Sequence, residues 1–197
     1  MEDHFFGVQA EGPILTLEDT FCDIDDGSAK SQVARKVALG VSQSIVSLSS
    51  FAGRKRIRVC SGFVIRWNDS TSIGTILTSA ALVRPPCGDD VRISMVDFHH
   101  NIALVEVTSN FKLQEAVILK YIIDKGDVLA LGRSYEVLNN SGFIFADVSI
   151  IEQAGTGGPL VNYNGHVVGI NFFEENQTPF LSMAIVFKCL EHHQIFG

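Results

Sequence analysis

The chain has 197 residues, 46% of them hydrophobic and 19% charged, with a mean hydropathy of +0.23. That composition excludes disorder and low complexity, and a chain of this length buries roughly 70% of the surface its unfolded form exposes. The net charge of −7 belongs to residues 1–30, with eight acids and one base, while residues 31–197 carry fourteen of each sign. A neutral body behind an acidic leader offers no basic stripe to nucleic acid and is repelled by an anionic membrane surface, so neither is expected as a partner.

In chain order, residues 1–27 alternate acids with Gly and a few apolar groups, and are expected to form a flexible acidic leader. Ser28 or Ser31 can cap a short helix over Ala29–Leu39, with Val33, Ala34 and Val37 as its apolar face and Gly40 as its stop. Strands are then predicted at Ser42–Ser49, Arg56–Arg66, Gly74–Thr78, Val91–Met95, Ile102–Val107, Ala116–Leu119, Asp127–Leu131, Phe143–Val148, Leu160–Tyr163, His166–Phe172 and Phe180–Ala184. They recur roughly every 8–12 residues with turn residues between them, the spacing of an antiparallel sandwich or barrel rather than of βαβ units. Phe187–His193 suits a closing helix, and residues 191–197 a tail.

The four cysteines, Cys22, Cys60, Cys87 and Cys189, form no C-x-x-C, and the histidine pairs His99/His100 and His192/His193 are adjacent residues that point opposite ways in a strand. No metal and no cofactor are expected from that spacing. The N-terminus lacks the basic start and apolar run of a signal peptide, so an intracellular, reduced protein is expected. Cys60 is read as a small core hydrophobe, Trp67 as a partly buried hairpin residue, and Arg56 and Arg58 as one solvated strand face.

Three segments carry more than fold class. They are Ser61-Gly62-Phe63-Val64-Ile65 with Ile76-Leu77-Thr78-Ser79-Ala80-Ala81-Leu82-Val83, then Asn101-Ile102-Ala103-Leu104-Val105-Glu106-Val107, and Ala154-Gly155-Thr156-Gly157-Gly158-Pro159-Leu160-Val161-Asn162 with Gly165-His166-Val167-Val168-Gly169-Ile170-Asn171. In that order they resemble the motifs of trypsin-like serine proteases of the Deg/HtrA (protease Do-like) group, and the layout looks like the degenerate Do-like proteins of plants. The resemblance implies an all-β, trypsin-like double antiparallel barrel within residues 28–190, with short terminal helices. Barrel one would span about 40–107 and barrel two about 113–186. Fourteen residues separate Ser141 from Thr156, so barrel two is expected to be short by about one or two strands.

The same resemblance places Ala81 where the family has its base histidine, Asn101 at the orienting aspartate and Thr156 at the nucleophilic serine. It places the oxyanion-hole backbone at Ala154 and Thr156, and Gly157 and Gly158 in a structural loop. Acyl transfer needs a hydroxyl, an imidazole that takes its proton and a carboxylate that orients the imidazole. Ala81 has no proton-accepting side-chain atom, and a threonine hydroxyl without a base stays protonated. In other serine proteases the carboxylate-to-amide change alone costs about 10⁴ in kcat, and loss of the triad on the order of 10⁶.

The reading that follows is a non-catalytic protease homologue that keeps the scaffold and offers a cleft to a peptide or protein partner. Two alternatives stand beside it: a weakly active serine-endopeptidase-type hydrolase using Thr156, and a truncated product without a selected role. His100 is weighed as a substitute base for Thr156, against the ordinary reading of His99 and His100 as a solvated loop pair. His166 is read as a surface hairpin residue. The sequence does not specify an oligomeric state.

Overall fold

The computed structural model describes residues 7–8, 29–52, 55–83, 92–119, 128–134, 142–146, 156–172 and 179–193. Helix α1 (Ala29–Val41) opens the body, followed by a 3₁₀ turn at Ser42–Ser44 where the sequence predicts a strand to begin. Strands β2 (Ile45–Ala52), β3 (Lys55–Asn68), β4 (Ile73–Ser79), β5 (Arg92–Asp97) and β6 (Ile102–Thr108) join a short β1 (Gly7–Val8) in a six-stranded antiparallel sheet of order β1-β2-β3-β4-β6-β5. Of the expected leader, Gly7–Val8 is the described part, and it pairs with Leu48 and Ser49 at the sheet edge.

The second sheet holds β7 (Val128–Ser134), β8 (Gly142–Ala146), β9 (Pro159–Asn162), β10 (Val167–Asn171) and β11 (Phe180–Ser182), in the order β11-β10-β9-β7-β8. Helix α2 (Met183–His192) closes the described fold. It starts four residues before the predicted Phe187, because Ser182 is extended and the apolar stripe Met183, Val186, Leu190 already has helical spacing. Among the described residues no helix is long and apolar enough to cross a membrane.

Strand β6 shows why the first sheet sits where it does. Ile102, Ala103, Leu104 and Val105 are all buried, although successive side chains point to opposite faces. Ile102 and Leu104 pack into a core shared by both sheets, with Phe63, Leu77, Leu129, Leu131, Val161 and Ile170. Ala103 and Val105 face a second core inside the first barrel, with Leu48, Cys60, Val64, Ile76 and Leu82. The apolar run therefore serves two cores, and full burial of each Leu, Ile or Phe contributes roughly 1.5–3 kcal/mol.

Three further sequence expectations need correction. Gly40 does not stop α1, which runs on to Val41. Val33 is 47% exposed, and the buried stripe of α1 is Ala34, Ala38 and Val41. These residues fall on one face at helical spacing, and the two small alanines let α1 lie close against the shared core, while Val33 is rotated out of it. Ala116–Leu119 is not a ladder strand, since it makes one isolated parallel bridge between Ile118 and Val167. Its backbone joins the two sheets instead: Ala116 N–H donates to the Val64 carbonyl at 2.8 Å, and Val167 N–H to the Val117 carbonyl at 2.8 Å.

Candidate active site

The end of β4 and the turn that follows it place the first sequence-identified position, Ala81. Ser79 is the last residue of β4, fully buried, and Ala81 lies in the 3₁₀ turn Ala80–Val83. That turn exposes N–H groups that need acceptors. Ser79 Oγ accepts from the Ala81 N–H at 3.1 Å and donates to Asn101 Oδ1 at 3.0 Å. The Asn101 carbonyl in turn accepts from the Ala80 N–H at 3.1 Å.

Asn101 ends the turn between β5 and β6 with φ +56, in the left-handed region that asparagine tolerates better than most residues. An amide here thus has a conformational role independent of catalysis. Its side-chain oxygen is taken up by a serine, where a protease would present a carboxylate to an imidazole.

Thr156 reaches the same place from the second barrel. Its carbonyl accepts from the Ser61 N–H of β3 at 2.8 Å, while the Ser61 carbonyl accepts from Thr78 Oγ1 at 2.7 Å. Gly157 donates to the Asn171 carbonyl at 2.8 Å, and Asn171 N–H returns a bond to the Gly158 carbonyl at 3.0 Å. Gly157 has φ +86, and a Cβ there would stand 2.5 Å from the Ser61 carbonyl oxygen and 2.7 Å from Ser79 N. The loop and the first barrel are in backbone contact at a point where only glycine fits.

The fold therefore gathers Ala81, Asn101, Thr156, Gly157 and Gly158 around Ser61, Thr78 and Ser79. Ala154 lies outside the described residues. Among the described residues, no hydrogen bond joins the half-buried Thr156 to an imidazole. The His100 ring turns elsewhere, with Nδ1 2.8 Å from Asp97 Oδ2 and 3.4 Å from Cys189 Sγ. His166 lies in the β9–β10 turn, where its N–H donates to Asn162 Oδ1 at 3.0 Å. Cys60 is buried and its thiol is pushed up to about 12 by that burial, against a weaker opposing pull from Arg58, so it stays protonated at neutral pH.

Sequence reasoning missed two residues of this place. Ser79 could have been found, as a small polar residue at a strand end two positions before a turn N–H that needs an acceptor. Asn171 could not. Its side chain is 1% exposed, and neither Nδ2 nor Oδ1 has a hydrogen-bond partner. Its backbone bonds to Gly157 and Gly158 hold it beside Thr156.

No model of a protein family matches the chain, and no curated protein does. A solved structure does: the crystal structure of Deg5 superimposes with a TM-score of 0.60 at 15% sequence identity, covering 82% of this chain and 93% of that one. With two antiparallel sheets, two helices and a contact between sheets built on Gly157 among the described residues, the chain has a trypsin-like double-barrel fold.

Proposed function

We propose that this chain is a non-catalytic protease homologue that uses the trypsin-like scaffold to hold a peptide or protein segment. The observation that carries the reading is the set of side chains around Thr156 among the described residues. Ser61, Thr78, Ser79, Ala81, Asn101 and Asn171 include no group that takes a proton from a hydroxyl at neutral pH, and His100, next to Asn101 in the chain, is engaged with Asp97 and Cys189. A threonine hydroxyl in such company is a poor nucleophile.

Asn171 supports the binding half of the reading. A buried carboxamide without partners costs about 1–3 kcal/mol per unsatisfied group, and a peptide unit that reaches it through a local opening offers the one donor and one acceptor that would satisfy it. Purified protein incubated with casein and a fluorophosphonate probe is expected to show neither turnover nor labelling. Casein held without being cut, with retention weakened in Asn171→Leu, is the expected binding result. Labelling that disappears in Thr156→Ala would overturn the non-catalytic reading in favour of a hydrolase using Thr156. Absence of any casein retention would remove the binding half.

A further inference from the structure

The turn from β5 into β6 and the second turn of α2 bring three metal-ligating side chains to one place. Asp97 Oδ1 accepts the backbone N–H groups of His99 at 2.9 Å and His100 at 3.0 Å, which fixes the carboxylate plane. Its other oxygen, Oδ2, is thereby aimed at His100 Nδ1, 2.8 Å away. Cys189 Sγ approaches the same nitrogen from α2 at 3.4 Å. The three donor atoms lie within 4.8 Å of one another.

Two chemistries could use such a trio, and the geometry separates them. A cysteine nucleophile needs imidazole relayed through its two nitrogens, one to the thiol and one to the carboxylate. Here the single atom Nδ1 faces both, so no relay exists. Burial, reinforced by the Asp97 carboxylate, raises the Cys189 thiol above its ordinary range, the opposite of activation.

Convergence of sulfur, nitrogen and oxygen on one point is what a metal ion requires. We propose that Asp97, His100 and Cys189 bind one divalent cation of the zinc class and so tie helix α2 to the β5–β6 turn. Tetrahedral zinc, with bonds of about 2.3 Å to sulfur and about 2.0–2.2 Å to nitrogen and oxygen, sets neighbouring ligand atoms roughly 3.3–3.6 Å apart. The sulfur–nitrogen separation of 3.4 Å already meets this. The nitrogen–oxygen pair at 2.8 Å has to open by about 0.5 Å, and the sulfur and oxygen, within 4.8 Å of one another, have to settle into the same range, by side-chain rotation at Asp97 and Cys189.

On binding, the Cys189 thiol loses its proton to solvent and the sulfur pair bonds the cation. Nδ1 gives its lone pair while Nε2 keeps the ring proton, and Asp97 binds as the carboxylate. Thiolate and carboxylate together balance the double positive charge. A set with one thiolate and one imidazole selects zinc, cobalt or copper over the hard cations magnesium and calcium. Side-chain exposures of 33% at His100 and 15% at Asp97 give the ion a way in from solvent, and the fourth position goes to water. The spacing that argued against metal in the sequence is overcome by the fold, which joins residues 89 positions apart.

The test uses the full chain carrying Cys22→Ser and Cys87→Ser, which leaves the deeply protonated Cys60 and Cys189 as its thiols. Cobalt titration is expected to give a thiolate-to-cobalt charge-transfer band at one equivalent, displaced by zinc and not by magnesium or calcium. Cys189→Ser is expected to abolish the band. His100→Gln, at a partly exposed site, is expected to fold and to weaken zinc binding at least about 10–100-fold, the range lost even when outer-shell partners of a metal site are removed. No band, a band that survives in Cys189→Ser, or zinc affinity unchanged in His100→Gln would each overturn the site. Should Cys189→Ser fail to fold, the His100→Gln affinity decides alone.

Discussion

Asn101 and His100 are neighbours in the chain, yet the two regions they belong to use polar side chains in opposite ways. Around Asn101, Ser79, Ala81 and Thr156, each hydrogen bond in the network has a backbone group at one end or joins two neutral side chains. Around His100, ionisable side chains meet one another, and the backbone serves to aim them. Polar groups satisfied by the main chain hold a scaffold in place and have no capacity left for a reacting atom. Side chains converging on a shared point keep such a capacity. The place where the sequence resembles a protease thus has its hydrogen bonds directed to the backbone and between neutral side chains, while one residue away ionisable side chains face one another.

The contrast is most easily broken at Gly157. With φ +86 and a Cβ position 2.5 Å from the Ser61 carbonyl oxygen, Gly157→Ala is expected to cost about 2–4 kcal/mol from strain and displaced backbone. At about 2–4 °C per kcal/mol for a chain of this size, thermal unfolding should fall by roughly 5–15 °C. A shift within error would mean that the loop is not docked on the first barrel.

A smaller loss is expected at Asn101. Asn101→Ala removes the acceptor of the buried Ser79 hydroxyl and puts alanine at φ +56, for a combined cost of about 2–3 kcal/mol by denaturant unfolding. Asn101→Asp keeps both the acceptor and tolerance of that conformation, and should cost under about 1 kcal/mol. Equal costs for the two substitutions would argue that the side chain has no structural role.

Asn171→Leu runs in the other direction. Replacing a buried, unpartnered carboxamide by an apolar side chain of similar size is expected to raise stability by about 1–2 kcal/mol in the absence of a peptide, read as a higher denaturant midpoint. Stability gained together with casein retention lost would mark Asn171 as a residue kept for binding.

The effect at Asp97 is smaller and depends on pH. Burial works against ionisation of this carboxyl, but hydrogen bonds from the His100 backbone and ring and from the His99 N–H outweigh it and hold the carboxyl below its usual range. A lowered folded-state pKa contributes stability above the unfolded value of about 3.9 and loses it as pH falls through the folded value. With chelator present, wild type should therefore lose more stability than Asp97→Asn between about pH 5 and pH 3. Parallel melting curves would dismiss the turn's hold on the carboxylate. The smallest effect is at Gly40, where a Cβ meets nothing within 4 Å, so Gly40→Ala should stabilise α1 by about 0.5–1 kcal/mol.

Much of the fold was legible because its elements are local. The alternation of Arg56–Arg66, the apolar run Ile102–Val107 and the Gly-Gly-Pro motif before β9 state strand and turn through neighbouring residues. The rotation of α1 was not legible, because Val33 and Ala34 are both apolar and only the sheet beneath decides which one is buried. Residues 116–119 look like a strand by propensity and serve as a connector, since their backbone partners lie on two different sheets.

By itself, the order of residues determined that the chain builds two β-rich halves, and through its resemblance to trypsin-like proteases it led to the expectation that Ala81, Asn101 and Thr156 stand where such a protease carries its triad, because side-chain identity and spacing are properties of the chain. Tertiary structure alone decided that Ser79 would join two of those positions, that Asn171 would be buried without a partner, and that Cys189 would meet His100 across 89 residues. Such meetings depend on which faces two sheets and a helix turn toward one another, and that orientation is set by packing the shared core rather than by any neighbour along the chain.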